Sequence, residues 1–483
     1  MDGIFSEITL NEDRIKKDYD QCSDLMFRDV DVCGKKGFFI VISGLFDSLQ
    51  LNQLVTHPIL NCKLSCKTPQ EMYDTIKSKV LTSVEAEDVT SFSQAYNLLS
   101  SGFVLFYLDG CSKMLAVGVQ GWSKRKTDEP SNEATVKGAK ECFVETLNDN
   151  RALLRKRMKT HHLKFKQLQL GDAAQTMVVI AYLDNRAKNE LVNQVEFRLK
   201  SANMNTVLDY GCLDPFVDTD INSFFSTVAN TERPDVLCSK LLEGRVAIIV
   251  DGTPFVMYTP ALFSDAFSSL DDYNNPPYYA TFIRALRYLS FFISLFLPGL
   301  YVAVGTFHQE LIPTNLLFVV ATSEATTPFT LTVEAVMIHI LYEIMREAGL
   351  RLPKTIGHAV SIIGAIVIGE ATVSAGIIGA PMLVIVAVTA ISSYVVYPMF
   401  ESVSVLRILF IIVGGLTGIY GIMLGMGILF VNICTLNPMG VPYSAPISPV
   451  SKKSLSDTLY RQGWKKLSKR KVRISDLEGS TVE

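Results

Sequence analysis

The chain has 483 residues, 45 Lys and Arg against 48 Asp and Glu, and a formal net charge of −3. That length suits two or three domains, and the near-neutral balance excludes a nucleic-acid surface. Charged residues make up 19% of the chain, below the roughly 25% of soluble proteins. The deficit is local, because residues 281–445 hold only six Lys or Arg, seven Glu and no Asp.

Residues 1–36 read as a helical lead-in, acidic and polar at the start and without the apolar run of an export signal. The N-terminal region is therefore expected to stay in the cytoplasm. Residues 37–130 are expected to form a first α+β lobe. A strand starts at Phe38–Ile42, a turn and helix follow over Gly44–Leu54, and Ser91–Ser100 is a further helix. Gly102–Leu108 and Met114–Val119 flank Asp109-Gly110, a hairpin signal. The charged stretch 124–132, which holds Pro130, reads as an exposed connection.

A second α+β lobe is expected over residues 131–270. Its elements are an amphipathic helix at Phe143–Met158, strands at Leu163–Leu170 and Thr176–Leu183, and a helix at Glu190–Leu199. A hairpin, Arg245–Val250 with Phe255–Tyr258, turns around Asp251-Gly252. Neither lobe contains a phosphate loop, a dinucleotide fingerprint or a nucleophile elbow, so neither enzyme activity nor a cofactor is expected. Nine cysteines are scattered, with Cys62 and Cys66 the closest to a metal spacing. They read as reduced cytosolic thiols, and no metal site is expected.

Asp271–Tyr279 (DDYNNPPYY) marks a boundary, its prolines breaking structure and its tyrosines suiting a membrane interface. A polytopic α-helical membrane domain is expected over residues 281–435. Its apolar segments are Tyr288–Thr306, Leu311–Thr322, Thr332–Met345, Ile356–Glu370, Gly376–Tyr397 and Ile408–Val431. About 20 apolar residues cross a bilayer core. Two segments are short and prolines interrupt others, so four to six spans are expected, some of them re-entrant. Arg284 and Arg287 precede the first span, and residues 436–483 form a basic tail. Both termini are thus expected in the cytoplasm, which requires an even number of crossings.

Ionisable groups inside a membrane persist mainly in bundle interiors or along water-filled paths. Glu334, His339, Glu343 and Glu370 are the candidates, either as the wall of an ion path or as groups at the membrane surface. Gly357, Ser361, Ala365 and Gly369 recur every four residues. Such a stripe admits a close helix neighbour, or lines a pore between symmetry-related copies. Ile362 beside it is the natural apolar constriction. Gly414–Gly418 and Gly421–Gly425 repeat the spacing in the last segment, where close packing is the expected role. No convincing internal repeat is legible.

Ordered blocks along the chain resemble the spore germinant receptor A-subunit (GerA) family. They include Gly44-Leu45-Phe46-Asp47, Gly121-Trp122, Glu129-Pro130, Thr231-Glu232-Arg233-Pro234-Asp235 and the run from Glu243 to Pro254. Leu297-Pro298-Gly299-Leu300-Tyr301, Ile312-Pro313-Thr314, Arg346-Glu347-Ala348-Gly349 and Gly440-Val441-Pro442-Tyr443 continue the match. The resemblance implies an inner-membrane protein of bacterial endospores. It implies association with a transporter-like B subunit and a lipoprotein C subunit. It further implies an oligomeric, pentameric ion channel that nutrient opens to release monovalent cations. The SpoVAF-type accessory subunit shares the architecture and stands as the alternative, beside a proton-coupled secondary transporter. Two departures bear on the polar groups. Ser323-Glu324-Ala325-Thr326-Thr327 replaces a segment that usually carries Arg, and His339 stands where an acid is common.

Overall fold

The computed structural model describes residues 2–62, 68–83, 85–121, 130, 133, 135, 137–218, 223–353, 367–450, 455, 457–468 and 473–482. Helix α1 (Ile8–Asp18) leads into strands β1 (Leu25–Val32) and β2 (Lys35–Ile42). Cys33 and Gly34 join them at φ 51° and 83°, the left-handed pair of a two-residue hairpin turn. Residues 1–36 are therefore not a helical lead-in alone, because β1 is the edge of the first sheet. β1 alternates polar and apolar too weakly for its strand character to be legible. It forms because β2, apolar at six successive positions, offers it a full ladder.

The sheet continues through β3 (Ala86–Val89), helix α2 (Phe92–Ser100), β4 (Phe103–Leu108) and β5 (Met114–Gly118). Its order is β1-β2-β4-β5-β3, antiparallel throughout. Ser91 caps α2, its hydroxyl accepting from the Gln94 N–H. Both faces of the sheet are covered. Ile15, Leu99, Phe38 and Tyr107 lie on one side, and Phe39, Phe106, Val55 and Ile59 on the other. Two-sided burial is why β2 and β4 read as apolar runs rather than alternations.

The second lobe carries α3 (Leu147–Arg157), β6 (Leu163–Leu170), β7 (Thr176–Leu183), α4 (Asn189–Ser201), β8 (Ala229–Thr231), α5 (Pro234–Leu242), β9 (Val246–Val250) and β10 (Val256–Thr259). Its sheet runs β6-β7-β9-β10-β8 and is again antiparallel. This is the order of the first sheet strand for strand, so the two lobes are a structural repeat.

The repeat extends to single hydrogen bonds. Asn11 accepts from the Phe5 N–H and donates to the Phe5 carbonyl at 3.0 and 2.7 Å, and Asn150 makes the same bracket on Val144 at 2.8 and 2.6 Å. Asp109 Oδ1 accepts from the Ile8 N–H at 3.0 Å, and Asp251 Oδ1 from the Leu147 N–H at 3.0 Å. Gly102 and Gly244 follow their helices at the same φ of 87°. The expectation of no internal repeat fails for these lobes. What recurs is a few backbone-bracketing polar residues, while the cores keep only their apolar character.

Arg155 of α3 binds Asp24, ahead of β1, through Nε at 2.8 Å and Nη2 at 3.1 Å, and both side chains are buried. Ala152 joins the core of the first lobe. The lobes are thus held together by packing, by this buried ion pair and by hydrogen bonds such as that from the Ser23 N–H to the Phe165 carbonyl at 3.1 Å.

The helical region holds α6 (Pro277–Phe307), α7 (Thr314–Glu324), α8 (Leu331–Arg351), α9 (Ala380–Val395) and α10 (Phe400–Thr435). Two stretches, Pro277–Phe307 and Tyr397–Thr435, are long and apolar enough to cross a membrane. The second is not one straight rod. Gly418 adopts φ 68°, ψ −154° inside it, a conformation open essentially to glycine, and the chain reverses there. A Cβ on Gly425 would lie 2.7 Å from the Phe410 ring, and one on Gly414 would lie 3.2 Å from Ile422 Cδ1. Residues that far apart in a straight helix would be about 12 to 22 Å apart at 1.5 Å rise each. The expected single segment Ile408–Val431 is therefore a helical hairpin. Gly418 is its turn, closely packed against His308 and Phe307, and Gly414 packs as expected. A Cβ on it would meet the Gly299 carbonyl oxygen at 2.5 Å, so α6 and α10 cross backbone to backbone.

The last segment folds back on the second lobe. Met439, Val441, Ala445, Ile474 and Leu477 join that lobe's core. Phe225, Phe267 and Tyr443 pack with Phe291 and Leu436, seating the lobe against the helix ends.

Candidate functional site

The helical region buries Arg284 on α6, Glu334 and His339 on α8 and Arg407 on α10. α8 contacts α6, α9 and α10, and its apolar residues Ala335 and Ile338 face that core. Glu334 (0% exposed) lies on the side of Ile338, and His339 (1%) on the side of Ala335 and Glu343. Residues four apart share a face, whereas Glu334 and His339, five apart, point about 140° from one another.

Each polar group has a distinct environment. Glu334 Oε1 accepts from the Gly379 N–H at 2.6 Å, at the start of α9. A carboxylate there opposes the positive end of the helix dipole. The His339 Nδ1 lies 2.8 Å from the Ala335 carbonyl, and its Nε2 is buried without a partner. Glu343 bridges two arginines. Its Oε1 accepts from Arg407 Nη2 at 2.8 Å and its Oε2 from Arg346 Nε at 2.9 Å. Arg407 is 1% exposed, and its Nε and Nη1 have no partner. Arg346 lies 4.1 Å above the Phe400 ring, a cation–π contact. Buried unpaired polar atoms of this kind mark places where water or an ion belongs.

At the other end of the seam a cavity of about 2220 Å³ opens between the second lobe and the helix ends. Arg346, Phe400 and Glu401 line it from the helical side, and Asp214, Arg245 and Tyr258 from the lobe. Burial, with Asp218 and Glu401 nearby, pushes the Asp214 carboxyl up to about 6. Arg284 of α6 is fully buried and donates to Asp272 Oδ2 at 2.9 Å, which Arg287 also reaches at 2.7 Å. Burial alone would raise the Asp272 carboxyl, but the two guanidiniums hold it below the usual range. Tyr273 links this cluster to the last segment, its hydroxyl donating to Asp457 at 3.0 Å.

Of the residues singled out in the sequence, Glu334, His339 and Glu343 lie along α8, each with partners of its own. Glu370 is exposed and Gly369 half-exposed, both in the short helix Val367–Ala371. Gly357, Ser361, Ile362 and Ala365 lie outside the described residues. Arg407 is not among the residues singled out in the sequence. A lone arginine inside the run Val403–Thr417 was the signal for it, since a buried cation needs a partner.

Known proteins resemble this chain over most of its length. A family model described as "Bacillus/Clostridium GerA spore germination protein" matches residues 13–473. Spore germination protein KA of Bacillus subtilis (strain 168) is 37% identical over 98% of this chain and 87% of its own length. Spore germination protein GerLA of Bacillus cereus is 30% identical over 91% of this chain and 90% of its own. The crystal structure of the N-terminal domain of the A subunit of the Bacillus megaterium spore germinant receptor GerK3 covers 54% of this chain and 97% of that domain. It is 25% identical, with a TM-score of 0.40.

Proposed function

The chain belongs to the GerA spore germination family, and on that premise we propose that it is the A-type subunit of a spore germinant receptor. In this reading it works in the inner membrane of the spore as an oligomeric, nutrient-gated cation channel. The observation that carries the reading is the polar seam of α8, an arginine and three other ionisable groups placed among apolar helices.

The helix directions support it. The start of α8 meets the end of α6, where a Cβ on Gly305 would lie 2.5 Å from Leu331 Cδ2. Its end meets the start of α10 at Arg346 and Phe400. With α10 folded at Gly418, α6, α8, α9 and the two arms of α10 make five passes. Counting the apolar segment expected from the sequence at Ile356–Glu370 as a sixth returns both termini to the cytoplasm. The arms, 400–417 and 419–435, are each about 26 Å long at 1.5 Å per residue, close to the roughly 30 Å of a bilayer core.

The pore in this reading lies between subunits. It is lined by Gly357, Ser361, Ile362, Ala365 and Gly369, with Ile362 as the apolar gate. B and C subunits complete the receptor, the transporter-like B subunit binding the nutrient. The test is Ile362→Ala in a spore-forming strain relying on this receptor. The expected result is germination and cation release without nutrient. Normal dormancy with a normal nutrient response would refute the assignment of the gate.

A further inference from the structure

The end of α7 and the start of α8 bring two carboxyl groups together beside the first turn of α9. Glu334 is fully buried. Its Oε1 accepts from the Gly379 N–H, and its Oε2 has no partner. Glu324 is the last residue of α7, and its buried Oε1 also has no partner. Ser323 completes the group. A Cβ on Gly379 would lie 2.7 Å from Ser323 Oγ and 3.4 Å from Glu334 Oε1. Gly305 of α6 closes the far side, where a Cβ would lie 3.9 Å from Glu324 Oε1. Glycine at both places leaves the room that these oxygens occupy.

The charges do not cancel. Glu334 faces the positive end of α9, which suits a carboxylate, whereas Glu324 stands at the negative end of α7, which does not. No Lys or Arg occurs between Arg287 and Arg346 or between Lys354 and Arg407. α7 and α9 therefore carry no Lys or Arg, and the arginines of α6 and α8 lie towards the opposite ends of those helices. One carboxylate is offset by the Gly379 N–H and the helix end, and about one negative charge remains in an apolar setting.

We propose that Ser323, Glu324 and Glu334 form a binding site for one monovalent alkali cation within each subunit, apart from the pore between subunits. Carboxylate and hydroxyl oxygens are the donors that hard cations take. The C-terminal end of an interrupted helix is a recurrent place for such ions in membrane proteins. The site rests on the membrane placement of α7 to α9 in the reading above, and not on conduction.

The test uses the full-length chain purified in mild detergent at pH 8. Thermal unfolding is followed in choline chloride, sodium chloride and potassium chloride at equal ionic strength. Sodium or potassium is expected to raise the Tm by several degrees over choline, saturably, and Glu324→Gln and Glu334→Gln are each expected to abolish that increment. Glu334→Gln keeps an oxygen for the Gly379 N–H, and Glu324→Gln leaves that cap untouched, so the fold is not the variable. Equal Tm in all three salts, or an increment that persists in both variants, overturns the site. If acidifying to pH 5 in choline alone reproduces the increment and alkali cations add nothing, the pair holds a proton and the proposal fails. Cation flux through reconstituted vesicles is read separately. The vesicles carry Ile362→Ala, the variant expected to conduct without nutrient: a Tm increment without flux there refutes the gate and keeps the site, and flux without an increment does the reverse.

Discussion

Arg407 donates through Nη2 to Glu343 Oε1 at 2.8 Å, tying the first arm of the α10 hairpin to the end of α8. Arg407 also reaches Ser404 Oγ at 3.2 Å. Among the described residues, this is the ion pair that joins two of the helices α6 to α10. It sits where the seam opens towards the cavity.

Breaking this pair from one side should be worse than removing it. Glu343→Gln leaves Arg407 buried with its charge unmet, a change of about 3–5 kcal/mol for a buried pair. The double change Glu343→Gln with Arg407→Met should recover much of the lost stability. Thermal unfolding in detergent of the two single variants and the double variant measures the coupling. Additive losses would mean that the pair contributes little.

Gly418 should not tolerate a side chain. Its φ of 68° with ψ −154° is open to glycine, and a Cβ would lie 2.9 Å from His308 Cε1. Gly418→Ala is expected to cost about 1–3 kcal/mol from backbone strain alone. Gly427→Ala, in open space on the returning arm, should be nearly neutral. The comparison of their Tm values checks the hairpin. A straight helix would favour alanine at both positions.

The two lobes should separate when Arg155 is lost. Its guanidinium is wholly buried against Asp24 and lies 4.9 Å from the Phe165 ring. Arg155→Ala is expected to destabilise by about 3–5 kcal/mol. It should also expose the lobe junction to proteolysis. Limited proteolysis beside denaturant unfolding distinguishes loosening of the junction from loss of one lobe.

Glu133 gives the second lobe a pH dependence. Burial pushes its carboxyl up to about 7, although Thr231 donates to it at 2.9 Å and Arg233 is near. Between the ordinary value of 4.5 and about 7 the folded state holds the extra proton. Stability contributed by this group therefore falls as pH rises through that window and is level above it. Glu133→Gln should remove the slope, raising the Tm at pH 8 and changing little at pH 4.5. Tm profiles of both proteins across pH 4–9 check this.

The strands β6 and β7, the two Asp-Gly hairpins and the α6 span were legible because period, turn chemistry and apolar length are local signals. The acids of α8 were legible for the same reason, each being a charge in an apolar run. Arg407 was not read, because its meaning depends on Glu343, 64 positions away. The Gly418 turn hid inside an apolar stretch with no charged residue to mark a loop.

By itself the sequence determined that a charged N-terminal region precedes an apolar helical one, since partitioning between water and hydrocarbon follows from composition alone. Tertiary structure decided that the lobes are copies of one five-stranded plan, that the last apolar stretch doubles back, and which buried charges meet. Those facts depend on contacts between residues far apart in the chain. A sheet order, a helix reversal and a paired charge are properties of what lies opposite, and no local pattern records them.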